Sequence, residues 1–97
     1  MIRSFRGVGT EDVFYGRPTK AARKTLPETL WRQASKKLDA IDSAGMLDDL
    51  QIPPGNRLEA LKGDRRGQHS IRINSQYRIC FRWTEAGPED VEVVDYH

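Results

Sequence analysis

The chain has 97 residues, of which 37% are apolar and 31% charged, and its formal net charge is +2. This length fits one domain over residues 1–97, and the composition lies outside that of disordered chains. No run approaches the ~20 apolar residues of a membrane span, and the first residues lack the apolar stretch of a signal peptide, so we expect a cytoplasmic protein with no membrane partner. One cysteine, Cys80, and two histidines, His69 and His97, offer little to a disulfide or a metal, and we expect no cofactor.

The basic residues are grouped along the chain. Seven lie within residues 17–37 against one acid, Glu28, and seven more lie within residues 57–82 against Glu59 and Asp64. Arginines outnumber lysines by eleven to five. Because the planar guanidinium binds phosphate through two hydrogen bonds, this pattern is compatible with a polyanionic ligand. An ordinary solvated surface with ion pairs would also account for it.

The first third of the chain predicts short elements. Residues 2–5 alternate apolar and polar side chains, which predicts a short strand. A brief helix follows, with Thr10 as its cap and Gly16 at its end. Residues 17–24 contain Pro18 and no apolar period, so we expect a basic connector that is mobile in the free protein.

A longer helix is predicted next. Thr25 and Glu28 have the spacing of a capping box, and apolar residues then recur at helical intervals until Gly45. The apolar stripe comprises Leu30, Ala34, Leu38 and Ile41. Residues 46–50 add one turn, and residues 53–56, with two prolines, break the helical pattern.

After Asn56 the apolar period changes to two, which predicts strands over 57–61, 68–73, 76–83 and 91–95. In the third of these, aromatic and aliphatic side chains alternate with Arg78, Cys80 and Arg82. Asn74 and Ser75 suit a tight antiparallel hairpin. The whole pattern indicates an α+β fold, with an N-terminal strand and helices packed on one face of an antiparallel sheet.

This arrangement would place Arg72, Arg78 and Arg82 together on the other face of the sheet, as a surface for phosphates. RNA carries its own nucleophile, the 2′-hydroxyl, so cleavage would further require only a base, an acid and a cation. Candidates for these roles are Glu59, Lys62, Asp95, Tyr96 and His97, although each also has an ordinary structural explanation. The chain lacks a glycine-rich phosphate loop and a nucleophile elbow, which excludes nucleotide hydrolysis and serine-hydrolase chemistry.

Residues 56–74, residues 76–81 and the final Val94-Asp95-Tyr96-His97 together resemble the HigB-like toxins of the RelE/ParE superfamily. The L-x-x-L-K-G-D-R-x-G core and the D-Y-H end carry this resemblance, which extends over nearly the whole chain. It implies a RelE-like fold and a metal-independent toxin that cuts messenger RNA in the ribosomal decoding site by attack of the 2′-hydroxyl. It also implies contacts with ribosomal RNA, and a HigA-type helix-turn-helix antitoxin through which operator DNA is contacted indirectly.

The resemblance also implies roles for individual residues. Arg78 matches the family's phosphate-binding arginine, Lys62 matches a lysine of the same site, and Asp95, Tyr96 and His97 match the C-terminal catalytic cluster. Glu59 stands where some members have a histidine that transfers protons; a glutamate can serve as the base, which leaves His97 or Tyr96 as the acid. From the charge pattern we assign RNA or phosphate binding to Lys62 and four arginines: Arg65, Arg66, Arg72 and Arg82.

Two other functions share this fold class. The first is a non-enzymatic inhibitor of DNA gyrase, similar to the ParE branch, which lacks the catalytic residues. The second is a regulator-binding module without toxicity. Arg78 and the Asp95-Tyr96-His97 end favour the endoribonuclease.

Overall fold

The computed structural model describes residues 1–96, so every expectation about His97 lies outside the described residues. Within them the helices are α1 (Val8–Tyr15), α2 (Lys20–Thr25) and α3 (Trp31–Ser43). The strands are β1 (Glu59–Ala60), β2 (His69–Arg72), β3 (Tyr77–Thr84) and β4 (Gly87–Asp95). Short 3-10 turns occupy residues 28–30, 47–51, 54–56 and 63–65. No helix within residues 1–96 is long and apolar enough to cross a bilayer.

The four strands form one antiparallel sheet in the order β1-β2-β3-β4. The predicted N-terminal strand is reduced to one parallel bridge, between Phe5 and Val91 at the outer edge of β4. Backbone hydrogen bonds from Arg3 to Pro88 (2.8 Å) and from Arg6 to Val91 (3.0 Å) hold this segment in place. The start of the chain therefore covers part of the edge of β4.

The core lies between α3 and one face of the sheet. Ala34, Leu38 and Ile41 of α3 are fully buried, as the helical stripe predicts. They share a hydrophobic cluster with Ile79 and Phe81, two of the alternating apolar residues of β3. This confirms the predicted α+β arrangement, because both periodicities are satisfied by one interface.

The prediction of a mobile connector at residues 17–24 is wrong, because this segment contains α2. The hydroxyl of Thr19 caps the helix by accepting from the backbone N–H of Ala22 (3.1 Å) and donates to the carboxylate of Asp12 (2.6 Å). This hydrogen bond, with the nearby Arg17 guanidinium at 3.2 Å, holds the pKa of Asp12 below its usual value. The helix shows no apolar period because only Ala22 is buried.

Thr10 does not cap α1, which begins one turn earlier after Gly7. The Thr10 hydroxyl oxygen instead accepts from the backbone N–H of Val93 (3.0 Å), so it satisfies a strand donor at the edge of β4. The predicted end at Gly16 is confirmed, since Gly16 has φ 73 and ψ 28. Glycine adopts this left-handed conformation at little cost.

The predicted capping box at Thr25 does not form. Thr25 is the last residue of α2, and its hydroxyl donates to the carbonyl of Ala21 (2.9 Å). The Glu28 carboxylate accepts from Arg23 (2.8 Å), and α3 begins only at Trp31. A threonine followed three residues later by a glutamate therefore marks the end of one helix here.

All four strands differ from their predicted bounds, β2 and β3 by one residue at each end and β1 and β4 by more. β1 has two residues because Arg57, with φ 48, turns the chain before it. β4 begins at Gly87, four residues early, since the 84–87 hairpin continues β3 directly into it. The register shifts between Cys80 and Arg82, and Asp90, with φ 53, lies opposite this irregularity.

Candidate active site

An open cleft of about 320 Å³ lies at the end of the sheet where β2 turns into β3. Arg72 and Arg78 are direct partners across these two strands. The lining residues are Arg57, Glu59, Arg72, Asn74, Ser75, Arg78 and Tyr96. Three arginines and one carboxylate give the cleft a positive charge suited to a phosphate.

Arg78 is held rigidly at the floor of this cleft. It is 8% exposed, and its Nε donates to the Ser70 hydroxyl (2.8 Å) while Nη2 donates to the carbonyl of Arg57 (2.7 Å). Nη2 also lies 3.8 Å from the carboxylate of Glu59. For Nη1, the residues that the structure describes provide no hydrogen-bond acceptor. The guanidinium plane is therefore fixed by Ser70 and the Arg57 carbonyl.

The face of the sheet that carries Arg78 is not an open surface. Cys80, two residues along the same face, is fully buried, and burial raises the pKa of its thiol although Arg65 and Arg78 oppose the effect. Arg65 donates to Gln68 (3.1 Å) and to Glu92 (3.3 Å) and so holds the 63–67 segment over the sheet. A second polar cavity of about 320 Å³ lies at this ion pair.

The side chains of the last residues of β4 lie alternately on the two faces of the sheet. Val94 is the partner of Arg78 and Asp95 that of Tyr77, so the side chain of Asp95 lies on the opposite face from Arg78. The Asp95 carboxylate accepts from Gln76 Nε2 (3.2 Å). The Tyr96 ring returns to the cleft, with its centroid 5.8 Å from the Arg78 guanidinium carbon. Among the candidate catalytic residues within 1–96, the cleft thus brings together Glu59, Arg78 and Tyr96.

The residues expected to bind RNA are spread more widely. Arg72 lines the cleft, and its Nε donates to the carbonyl of Asn74 (2.9 Å). Lys62 and Arg66 are exposed outside it, and Arg65 belongs to the second cavity. Arg82 lies toward the far end of β3, 3.9 Å from the carboxylate of Asp90. The expected arginine surface is therefore divided along the sheet.

Sequence reasoning missed four residues of this region: Arg57, Ser70, Asn74 and Ser75. Strand alternation could have indicated Ser70, because it lies on the same face as Arg72. The two-residue hairpin is replaced by a loop over residues 73–76, in which Asn74 Oδ1 accepts from the backbone of Gln76 (2.9 Å) and Tyr77 (2.8 Å). This side-chain turn places Asn74 at the rim of the cleft.

Solved structures share this architecture. The YoeB-YefM complex from Staphylococcus aureus contains a chain similar over 100% of this chain and 98% of its own, with a TM-score of 0.61 and 15% identity. A heterotetrameric YoeB-YefM toxin-antitoxin complex from the same organism gives a TM-score of 0.60 at 18% identity, with the same coverage. These similarities show that this chain shares the fold of those chains.

Sequence comparison identifies a protein family for this chain. The family described as RelE-like toxin of type II toxin-antitoxin system HigB matches residues 5–97. Toxin HigB-1 of Vibrio cholerae serotype O1 is 42% identical over 62 residues, 64% of this chain and 65% of that protein. An uncharacterized protein of Haemophilus influenzae is 36% identical over 58 residues, 60% of this chain and 57% of its own length. Endoribonuclease HigB of Proteus vulgaris is 31% identical over 99 residues, covering 100% of both chains.

The chain belongs to the HigB-like toxin family. The match spans somewhat less than two thirds of the first two relatives and the full length of the Proteus protein.

Proposed function

We propose that this protein is the toxin of a type II toxin-antitoxin system and a ribosome-dependent endoribonuclease that cleaves messenger RNA. The observation that carries the proposal is the buried Arg78 guanidinium, fixed by Ser70 and the Arg57 carbonyl beside an open cationic cleft. The full-length Proteus relative is named an endoribonuclease, which supports RNA cleavage. A gyrase inhibitor would have no need of a preorganised phosphate site.

The reaction needs no nucleophile from the protein. The 2′-oxygen of a ribose attacks the neighbouring phosphorus, the new O–P bond forms as the bond to the 5′-oxygen breaks, and the products are a 2′,3′-cyclic phosphate and a 5′-hydroxyl. Negative charge accumulates on the non-bridging oxygens during attack. Arg78 and Arg72, opposed across β2 and β3, stabilise that charge.

Two proton transfers complete the reaction. Glu59 lies beside Arg78 and removes the proton of the 2′-hydroxyl. His97, outside the described residues, donates a proton to the leaving 5′-oxygen. Asp95 anchors the end of the chain through Gln76, and the exposed face of Tyr96 stacks on a base.

The ribosome supplies what this cleft lacks. An open cleft with few groups cannot by itself bend RNA into the in-line geometry, whereas the decoding site holds the message in a fixed path. Lys62, Arg65, Arg66 and Arg82, outside the cleft, contact RNA phosphates there. In the cytoplasm a HigA-type helix-turn-helix antitoxin restrains the toxin and carries any contact with operator DNA; the solved toxin-antitoxin complexes of this fold support an antitoxin partner.

Substitution of Arg78 tests the proposal. We expect Arg78→Ala to lower ribosome-dependent cleavage by about 10²-fold or more, because a fixed transition-state cation is lost. The free energy of unfolding should fall by about 1–3 kcal/mol, since buried partners such as Ser70 lose their hydrogen bonds. Arg78→Lys keeps the charge without the planar fork and should remain strongly impaired. Cleavage on purified ribosomes and urea unfolding are measured in parallel.

Arg23→Ala is the matched control, since Arg23 is an exposed arginine of α2 paired with Glu28. It should leave both measurements nearly unchanged. Full activity of Arg78→Ala would remove the arginine from the mechanism. Equal cleavage of naked messenger would contradict ribosome dependence, and inhibition of gyrase supercoiling without any RNA cleavage would establish the ParE-like alternative.

A further inference from the structure

A buried asparagine lies directly behind the candidate active site. Asn56 is 1% exposed, and its Nδ2 donates to the carbonyls of Leu50 (3.2 Å) and Ile52 (3.3 Å). Its Oδ1 accepts from the ammonium of Lys37 on α3. The amide nitrogen of Asn56 thus joins two carbonyls within the 47–56 segment, and its amide oxygen connects this segment to α3.

The next residue has an unusual backbone conformation. Arg57 has φ 48 and ψ 56, in the left-handed region that residues with a Cβ seldom adopt. Its backbone N–H donates to the carbonyl of Pro54 (3.1 Å), and its own carbonyl accepts from Nη2 of Arg78 (2.7 Å). An extended Arg57 would point this carbonyl away from Arg78.

Asn56 and Arg57 are consecutive residues, so the contacts of the Asn56 side chain constrain the backbone at Arg57. We infer that Asn56 is a positioning residue for Arg78: it holds Arg57 in the left-handed conformation, and the Arg57 carbonyl in turn fixes the Arg78 guanidinium in the cleft. The orientation of the guanidinium is thereby fixed by α3 through Lys37, as well as by Ser70 in the sheet. The catalytic consequence rests on the proposed function, but the positioning itself does not.

Asn56→Ala removes the link. We expect the rotation of the Arg78 guanidinium, measured by nitrogen NMR of the assigned side chain, to become faster because Nη2 loses a fixed acceptor. We expect kcat for ribosome-dependent cleavage to fall by about tenfold to hundredfold, since small displacements of a catalytic group are costly. KM for the ribosome should change little, because no charge at the surface is altered.

Asp49→Ala is the matched control for general loosening of the same segment. The Asp49 carboxylate accepts from the backbone of Gly45 (2.9 Å) and Met46 (3.2 Å), so its loss destabilises the 47–51 turn without touching Asn56. It should lower the melting temperature while leaving the Arg78 rotation and kcat at their wild-type values. If Asp49→Ala changes both, the effect of Asn56 is only structural and the inference fails.

Arg57→Gly provides the second test through a double-substitution cycle. Glycine adopts positive φ without the steric penalty, so Asn56→Ala should reduce kcat less in the Arg57→Gly background than in the wild type. Equal reductions in both backgrounds would overturn the inference. Should Asn56→Ala fail to fold, Asn56→Asp keeps the acceptor for Lys37 but loses both Nδ2–H donors, and the same faster rotation is expected.

An unchanged Arg78 rotation in a folded Asn56 variant contradicts the inference whatever the activity. A wild-type protein that does not cleave RNA contradicts the proposed function instead, while the NMR comparison still decides the positioning role.

Discussion

Tyr96, at the edge of the cleft, carries two groups of different chemistry, an aromatic ring and a hydroxyl. Tyr96 is 43% exposed, its ring faces the Arg78 guanidinium, and its backbone N–H donates to the carbonyl of Gln76 (2.6 Å). This hydrogen bond fixes the backbone position from which the ring extends. We expect the ring, more than the hydroxyl, to be the functional group.

Tyr96→Phe and Tyr96→Ala separate these possibilities. We expect Tyr96→Phe to retain ribosome-dependent kcat/KM within about threefold, because the stacking face is kept. Tyr96→Ala should lose about 1–3 kcal/mol of stacking, or roughly five- to 150-fold in kcat/KM. A loss for Tyr96→Phe as large as for Tyr96→Ala would instead assign a proton transfer to the hydroxyl. Removing residues 96–97 together should abolish cleavage with little effect on stability.

At the scale of elements, the packing of α1 on α2 depends on one glycine. A Cβ placed on Gly9 would lie 1.8 Å from the Thr25 hydroxyl and 2.6 Å from the carbonyl of Ala21. Both distances are shorter than a van der Waals contact, and the second involves backbone that cannot rotate away. Gly9 is therefore required by the close approach of two helices.

We expect Gly9→Ala to lower the free energy of unfolding by about 1–3 kcal/mol through overpacking, although alanine favours the helix by up to about 1 kcal/mol. Urea unfolding measures the change. Gly45→Ala is the control, because the nearest atom to its Cβ, a carboxylate oxygen of Asp49, is 3.6 Å away. A stabilised Gly9→Ala, or full rescue by adding Thr25→Ala, would show that the backbone of α2 yields.

At the scale of the whole molecule, the accessibility of Cys80 indicates whether the face of the sheet that carries Arg78 is shielded from solvent. Its thiol is fully buried on the face that carries Arg78, and burial raises its pKa. A thiol reagent needs both access and the thiolate, so we expect native labelling to proceed only through opening of the structure. Labelling rates should therefore follow the unfolding equilibrium as urea is increased.

The raised pKa also has a consequence for stability. The unfolded thiol ionises above about pH 8.5, whereas the buried thiol stays protonated to higher pH. The folded state then binds more protons, so this group's contribution is complete below pH 8.5 and is lost as the pH rises further. Cys80→Ala should flatten this alkaline decline. Rapid native labelling at neutral pH would show that the face is open.

The sequence by itself determined the periodic parts of this protein. The stripe of α3 and the alternation of β3 could be predicted because burial on one face imposes a repeat that local side chains reveal. The resemblance carried by the 56–81 region and the D-Y-H end predicted the toxin family, and Glu59, Arg78 and Tyr96 do meet in one cleft.

Tertiary structure decided the helix caps, the burial of the site arginine and the turn beside it. Thr10, Thr19 and Thr25 all have the chemistry of a helix cap, but only Thr19 caps one, because the choice depends on which distant group needs a partner. The burial of Arg78 and the left-handed turn at Arg57 likewise depend on a contact between residues distant in sequence, the hydrogen bond from Arg78 to the carbonyl of Arg57. Local patterns record which side chains avoid water; they do not record which hydrogen-bonding groups the finished fold brings together.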